Sequence, residues 1–251
     1  MTSYISGFFI FIMVAAAIVG VIYYARWWNQ HGGGKIRREQ EERRKAERAA
    51  SVRARGWQYD GAIDGNIHYR ISGRTEAGHD WRMHYDSDHS SSSSSPKLIF
   101  LAPWPSGTEH QWIIHDRKTW SIMQKSGVRA VVGGLAMLAS AFSDAMKVKR
   151  DFYLNAEVLP AGGFEFRERY VLAGHDPRWR ELLDGEIERL ILDWPEFKQS
   201  MSMRDNCFSA ELVPEGLRVQ LYADAPDIAV IQHMAKLGQR LTDKAKSISP
   251  A

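Results

Sequence analysis

The sequence predicts an α+β protein that begins with a transmembrane helix and continues through a basic solvated helix. A folded region of antiparallel β-hairpins packed with amphipathic helices follows. Residues 3–25 carry no charged side chain, which is typical of a membrane span. Over residues 57–73 and 81–85, apolar side chains fall on alternating positions, which is typical of half-buried strands. After residue 174, apolar side chains recur twice at three-to-four spacing, which indicates amphipathic helices.

Composition and charge limit the function classes. The apolar fraction is 44% of 251 residues, which allows a sizeable core. The single cysteine, Cys207, excludes an internal disulfide and a thiol metal cluster and fits a reducing compartment. Residues 26–55 hold ten Lys/Arg and four Asp/Glu, a net charge of +6. The whole chain has a net charge of +3, so the other residues together carry −3. The folded region is therefore slightly acidic, which argues against specific nucleic-acid binding.

The uncharged run Ser3–Ala25 predicts a membrane anchor. Ten Phe, Ile and Val side chains lie between residues 8 and 22. At about 0.3–0.6 kcal/mol each near the helix centre, they favour insertion into a bilayer. Aromatic side chains with one polar edge follow directly and predict a belt at the headgroup level. These are Tyr23, Tyr24, Trp27 and Trp28.

The alternative for this run is a cleaved signal peptide. It is disfavoured because no basic residue precedes the apolar run and bulky aromatics stand where a cleavage site would be. Basic residues that follow an anchor stay on the cytoplasmic side. We therefore expect a single-pass inner-membrane protein with its N-terminus outside and its folded region in the cytoplasm, with the lipid bilayer as its first partner.

A Gly-rich break and a basic helix predicted over residues 35–55 follow the anchor. This stretch contains good helix formers and almost no large apolar side chain, and it lacks a coiled-coil repeat. It is interpreted either as a charged spacer or as a segment that adheres to anionic lipid headgroups. The residues expected to contact headgroups are Lys35, Arg37, Arg38, Arg43, Arg44 and Lys45.

The first folded stretch, residues 56–148, is expected to be rich in strands. Alternating apolar residues over 57–73 and 81–85 predict a hairpin, and KLIFLAP at 97–103 predicts a short buried strand. A Ser-rich loop separates them. Residues 130–142 are uncharged but too short to span a bilayer, so we expect a buried core helix or one that lies on a membrane surface.

The second folded stretch, residues 149–251, predicts the order β-α-β-β-α. FEFRERYVLAG, residues 164–174, is interpreted as a strand with a bulge that turns Glu168 outward. A helix should begin at Asp176-Pro177 and end at Trp194. Strands at 207–213 and 217–223 form a hairpin, and a final helix follows Asp224 and Pro226.

Histidines and aspartates supply the candidate metal site. One cluster is His79, His84, Asp86, Asp88 and His89, and a second is His110, His115 and Asp116. Imidazole and carboxylate groups suit zinc and similar ions, so the candidate ligands are His84, Asp86, His110 and His115. No ligand spacing of a known metal motif is matched, and the sequence has no nucleophile elbow and no phosphate-binding loop. Cys207 is interpreted as a packed small residue and not as a nucleophile.

The layout resembles that of uncharacterised single-pass inner-membrane proteins of bacteria. The stretches RGWQYDGAIDGNIHYRISGR and FEFRERYVLAGHDPRWRELL carry this resemblance. It implies a bacterial inner membrane and brings no activity with it.

The predicted organisation has four parts, namely an anchor at 1–28, a linker at 29–55, and two lobes at 56–148 and 149–251. The functional prediction is a non-enzymatic binding or scaffolding module that needs no cofactor and whose partner is another protein or the lipid surface. The alternative is a membrane-anchored, metal-assisted hydrolase that uses the His and Asp clusters.

Overall fold

The computed structural model describes most of the chain, and its compact units are residues 1–51 and 52–251. The described residues are 14, 17–24, 33–64, 67–86, 96–104, 111–124, 152, 155–195, 208–213 and 215–248. The helices are α1 (Gly33–Arg53), α2 (Arg117–Gln124), α3 (Phe164–Arg169), α4 (Gly185–Leu192) and α5 (Ile228–Ile248), with a 3₁₀ helix at Pro177–Leu182. The strands are β1 (Gln58–Asp64), β2 (Ile67–Arg74), β3 (Asp80–Asp86), β4 (Lys97–Ala102), β5 (Trp112–Asp116), β6 (Glu157–Leu159), β7 (Tyr170–Gly174), β8 (Phe208–Val213) and β9 (Gly216–Tyr222).

Residues 17–24 of the first unit are helical, and their apolar side chains are exposed. Most of the predicted anchor, together with Trp27 and Trp28, lies outside the described residues, so the anchor stays a prediction. Tyr23 and Tyr24 are described and exposed. Of the helices in the described part of the chain, none combines the length and the apolar character that crossing a bilayer requires.

The helix α1 confirms the predicted basic helix. Its charged side chains from residue 39 to residue 47 are exposed, as expected for a helix with no apolar stripe. Arg43 pairs with Glu47 and Lys45 with Glu42, each at 2.8 Å. Such exposed pairs contribute about 0.3–0.5 kcal/mol each, so good helix propensity and several weak pairs together support the helix.

The second unit is built on one antiparallel sheet of nine strands in the order β1-β2-β3-β4-β9-β8-β5-β7-β6. Strands from both predicted lobes belong to it, because β4 pairs with β9 along its whole length. The predicted α+β class, the β2–β3 hairpin, the strand at 97–102 and the β8–β9 hairpin are confirmed. The predicted alternation is also confirmed, since Tyr69 lies opposite Tyr85 and Ile71 opposite Met83, all four buried.

The main core lies on one face of this sheet, beneath the C-terminal helix. The helix α5 packs on β4 and β9 and also contacts α4 and the 3₁₀ helix. Its glycine Gly238 lies directly against the Phe100 ring of β4. A second apolar cluster occupies the opposite face at the other end of the sheet, where Ile113 and Val171 pack with Trp120 of α2 and with Phe152.

The strand predicted over 164–174 is wrong in its first half. Residues 164–169 form the helix α3, and only Tyr170–Gly174 form a strand. Phe166 and Tyr170 are buried while the charged residues between them are exposed, which is the four-residue spacing of a helix. Glu168 therefore faces outward because it lies on a helix, and not because of the predicted bulge.

The helix predicted from Pro177 to Trp194 is also interrupted. Asp176 caps a 3₁₀ helix, and a second cap, Asp184, starts α4 two residues after that 3₁₀ helix ends. The Asp184 carboxylate accepts hydrogen bonds from the backbone N–H groups of Glu186 and Ile187. Residues 130–142, the Ser-rich loop and Cys207 lie outside the described residues.

Candidate functional site

The face of the sheet opposite the main core carries a polar surface over β2, β3, β4, β9 and β8. We call it the polar face. Cross-strand pairing places its side chains in neighbouring rows, because directly opposed residues share one face. The first row is Ser72, Arg82, Leu101, Arg218 and Glu211, and the second is Arg70, His84, Ile99, Gln220 and Ser209. Asp86, Lys97 and Tyr222 form a third row.

Basic side chains surround His84 at the centre of the polar face. Burial lowers the pKa of His84; Asp86 opposes this effect, while Arg70, Arg82 and Lys97 reinforce it. His84 is therefore neutral at pH 7, and the permanent charges of the surface are those of its neighbours. The cations give this part of the sheet the chemistry of an anion-binding surface.

A buried ion pair lies at the β8–β9 end of the polar face. The carboxylate of Glu211 is 3% exposed and lies 3.4 Å from a guanidinium nitrogen of Arg218, its direct cross-strand neighbour. Burial and the charge of Glu211 both raise the pKa of Tyr222, so its hydroxyl stays protonated at neutral pH. The surface therefore offers guanidinium groups and a phenol as hydrogen-bond donors.

The strand order separates the candidate metal ligands. His84 and Asp86 lie on β3, whereas His115 lies on β5, four strand positions away in the sheet. At about 4.8 Å per strand this is a separation of about 19 Å, far beyond what one ion bridges. His110 lies outside the described residues. Within the described part of the chain, no three His, Cys, Asp or Glu side chains are grouped closely enough to hold a metal ion.

The residues predicted to contact headgroups lie on α1. Arg43, Arg44 and Lys45 are exposed on this helix. Lys35, Arg37 and Arg38 are on the same helix, and their side chains lie outside the described residues.

Sequence reasoning missed the polar face as a surface. The sequence did indicate that some strand residues face away from the core. Arg70, Arg82 and Arg218 each lie between two apolar residues whose side chains are buried. What the sequence lacked was the pairing of β4 with β9, which brings Arg218 into the same row as Arg82. Comparisons of the chain with protein-family models, with curated proteins and with solved structures found no match.

Proposed function

We propose that the chain is a membrane-tethered, non-enzymatic binding module. In this proposal an N-terminal helix holds residues 52–251 on the cytoplasmic face of a bacterial inner membrane, where they bind another protein or the lipid surface. The observation that carries the proposal is the exposure of apolar side chains on helical residues 17–24.

The tether is argued from these exposed side chains. Ile18, Val19, Val21 and Ile22 are between 55% and 69% exposed. Moving one such side chain from water to an apolar environment is favourable by about 1.5–3 kcal/mol. The hydrocarbon core of a bilayer is such an environment. The uncharged sequence of residues 3–25 has the length that a hydrocarbon core of about 30 Å requires.

The cytoplasmic orientation is argued from charge. The helix α1 carries three consecutive exposed cations at residues 43–45, and its sequence is part of the segment with net charge +6. Basic segments next to an anchor remain on the cytoplasmic side and are attracted to anionic lipids by about 1 kcal/mol per residue near the surface.

The binding role is argued from the polar face. It presents cations around a neutral histidine, and the strand order keeps His115 apart from His84 and Asp86. We therefore propose a binding role for the folded unit, in which a protein partner contacts the polar face.

Membrane extraction tests the tether. We expect the full chain to stay in the membrane pellet at alkaline pH, and Val14→Lys with Ala17→Lys, near the centre of the span, to move it to the supernatant. Each lysine near the centre of a span costs about 2.5–3.5 kcal/mol. The matched control, Gln40→Lys with Ala46→Lys, adds the same charge to exposed positions of α1 and should remain in the pellet. Wild-type protein in the supernatant would refute the tether, and an alkaline phosphatase fusion after Ala251 that is active would refute the orientation.

Photo-cross-linking tests the binding face. A photoreactive amino acid at Arg82, which is exposed on the polar face, should give a discrete adduct in cells. The same amino acid at Arg180, exposed on the 3₁₀ helix that contacts α5 on the core side of the sheet, is the control. Equal labelling from both positions, or none from Arg82, would count against a partner on this face.

A further inference from the structure

The edge of the sheet at β6 carries an unusual combination of side chains. Among the described residues of the second unit, the large apolar side chains exposed to solvent are Phe164, at 72%, and Val158, at 49%. Val158 is the central residue of β6, and Phe164 begins α3, five residues after β6 ends. Both therefore lie in the same region of the surface.

Arginines surround the exposed phenylalanine. An open depression in this region is lined by Phe164, Arg117, Arg167, Glu168 and Arg169, which gives three guanidinium groups against one carboxylate. A smaller cavity of about 160 Å³ adjoins it. The smaller cavity shares the lining residues Arg117 and Arg167 with the depression, and its apolar wall includes Val158 and Phe166.

The local structure holds Phe164 in its exposed position. Both carboxylate oxygens of Glu188 in α4 accept a hydrogen bond from the backbone N–H of Gly163, at 2.9 and 3.0 Å. Gly162 has a φ of 74°, and a Cβ atom there would lie 2.8 Å from the Phe166 ring. Phe166 is 1% exposed, so a rotation of α3 that buried Phe164 would bring Phe166 out of the core.

The arginines remain available to an anion. Arg167 donates from Nε to the carbonyl oxygen of Gly163 at 3.3 Å, which leaves its other N–H groups for a ligand. Arg169 donates from Nη1 to the carbonyl oxygen of Leu192 at 3.5 Å, lies 3.7 Å from Glu165 and lies over the Tyr170 ring. Its remaining N–H groups can donate to a ligand. The Arg169–Glu165 pair is exposed, so it contributes little and can be exchanged for a phosphate.

We propose that this depression is a docking site for an anionic phospholipid surface, in which Phe164 inserts among the lipids while Arg117, Arg167 and Arg169 bind headgroup phosphates. An exposed apolar side chain ringed by cations is the chemistry of interfacial membrane binding. The inference rests on the proposed tether, because the tether supplies the membrane that the depression meets.

An environment-sensitive fluorophore tests the site in the full chain. In a Cys207→Ser background, Phe164→Cys carries the fluorophore, and Gln58→Cys on β1, at the opposite edge of the nine-stranded sheet, is the control. Each protein is reconstituted into vesicles of phosphatidylcholine, with or without phosphatidylglycerol. We expect a blue shift of emission at position 164 only with phosphatidylglycerol, and no shift at position 58.

A charge-matched pair of variants identifies the arginines. Changing Arg117, Arg167 and Arg169 to Gln should abolish the shift. Changing Arg55, Arg74 and Arg180 to Gln, which removes the same charge from exposed positions, should preserve it. Near-UV circular dichroism shows that each variant is folded.

Flotation of the same vesicles separates the two proposals. Protein that floats without a shift at position 164 refutes the docking site and leaves the tether intact. Protein that fails to float refutes the tether, and a shift on added vesicles would then still support the docking site. An equal shift on phosphatidylcholine alone, or at position 58, refutes the docking site.

Discussion

Replacing Gly238 by alanine should destabilise the second unit, although alanine is the better helix former. The added Cβ would lie 2.5 Å from Cγ and 2.6 Å from Cδ1 and Cδ2 of Phe100. Carbon atoms in ordinary contact are about 3.5–4.0 Å apart, so the ring or the helix must move by about 1 Å. The ring has little freedom, because Phe100 is fully buried and stacks on Trp81 with centroids 5.4 Å apart.

The magnitude follows from two opposing effects. Alanine in a helix interior gains about 1 kcal/mol over glycine. Overpacking a well-packed core costs about 1–3 kcal/mol and occasionally more. With three ring atoms in conflict and a buried neighbour behind the ring, we expect the upper part of that range and a net loss of about 1–2 kcal/mol. For a unit of this size the midpoint of thermal unfolding should fall by about 2–8 °C.

Thermal unfolding of the full chain in detergent, followed by near-UV circular dichroism, measures this loss. The matched control is Gly185→Ala in α4, where a Cβ meets nothing within 4 Å, and it should be neutral or stabilising. Phe100→Leu should relieve the conflict, so the double variant with Gly238→Ala should lose less stability than the sum of the two single changes. A Gly238→Ala protein as stable as the wild type would refute the proposed packing of α5 on β4.

Two further predictions concern the helices beside this core. Burial lowers the pKa of His233, whose Nε2 lies 2.6 Å from the carbonyl oxygen of Leu190. Since the unfolded chain then binds a proton more readily, the free energy of unfolding should fall as the pH drops below about 6.5, until the lowered native pKa is passed. The change His233→Gln should flatten this fall in urea titrations at several pH values, and an unchanged profile would contradict the assignment. Asp184→Ala removes the cap whose carboxylate accepts from Glu186 and Ile187, so it should cost about 1 kcal/mol in the same titration, whereas Asp184→Asn should cost less. Equal losses for the two changes at Asp184 would argue against the capping role.

Local patterns in the sequence predicted most elements, and the errors arose where one pattern fits two structures. In residues 164–170, Phe164, Phe166 and Tyr170 satisfy a two-residue period, while Phe166 and Tyr170 also satisfy the four-residue period of a helix. The charged residues between Phe166 and Tyr170 favour the helix, because three consecutive exposed charges do not fit the alternation of a strand with one buried face. The helical spacing of apolar residues continues from 179 to 194, but Asp184 and Gly185 within it are also a signal for the start of a new helix.

The candidate site depended on pairing between distant strands, which local patterns do not carry. His84 and His115 were equally good ligands in the sequence, and their separation is a consequence of three strands lying between β3 and β5. The polar face arises in the same way, since Arg82 and Arg218 come from strands far apart in the chain. Phe164, which is exposed, was assigned to a strand, so the depression around it could not be predicted.

The proposed tether allows the depression to bind lipid weakly and still be occupied. Three arginines contribute about 3 kcal/mol at an anionic surface, and an inserted phenylalanine adds about 2 kcal/mol. A total of about 5 kcal/mol corresponds to a dissociation constant of about 0.2 mM, too weak to hold a free protein on a membrane. A tether raises the local concentration to about the millimolar range, where such a site is mostly occupied. The depression is therefore suited to orienting a protein that is already anchored, and residues 52–251 without the first unit should bind anionic vesicles only weakly. Tight binding by that fragment would show that the depression acts as an anchor by itself.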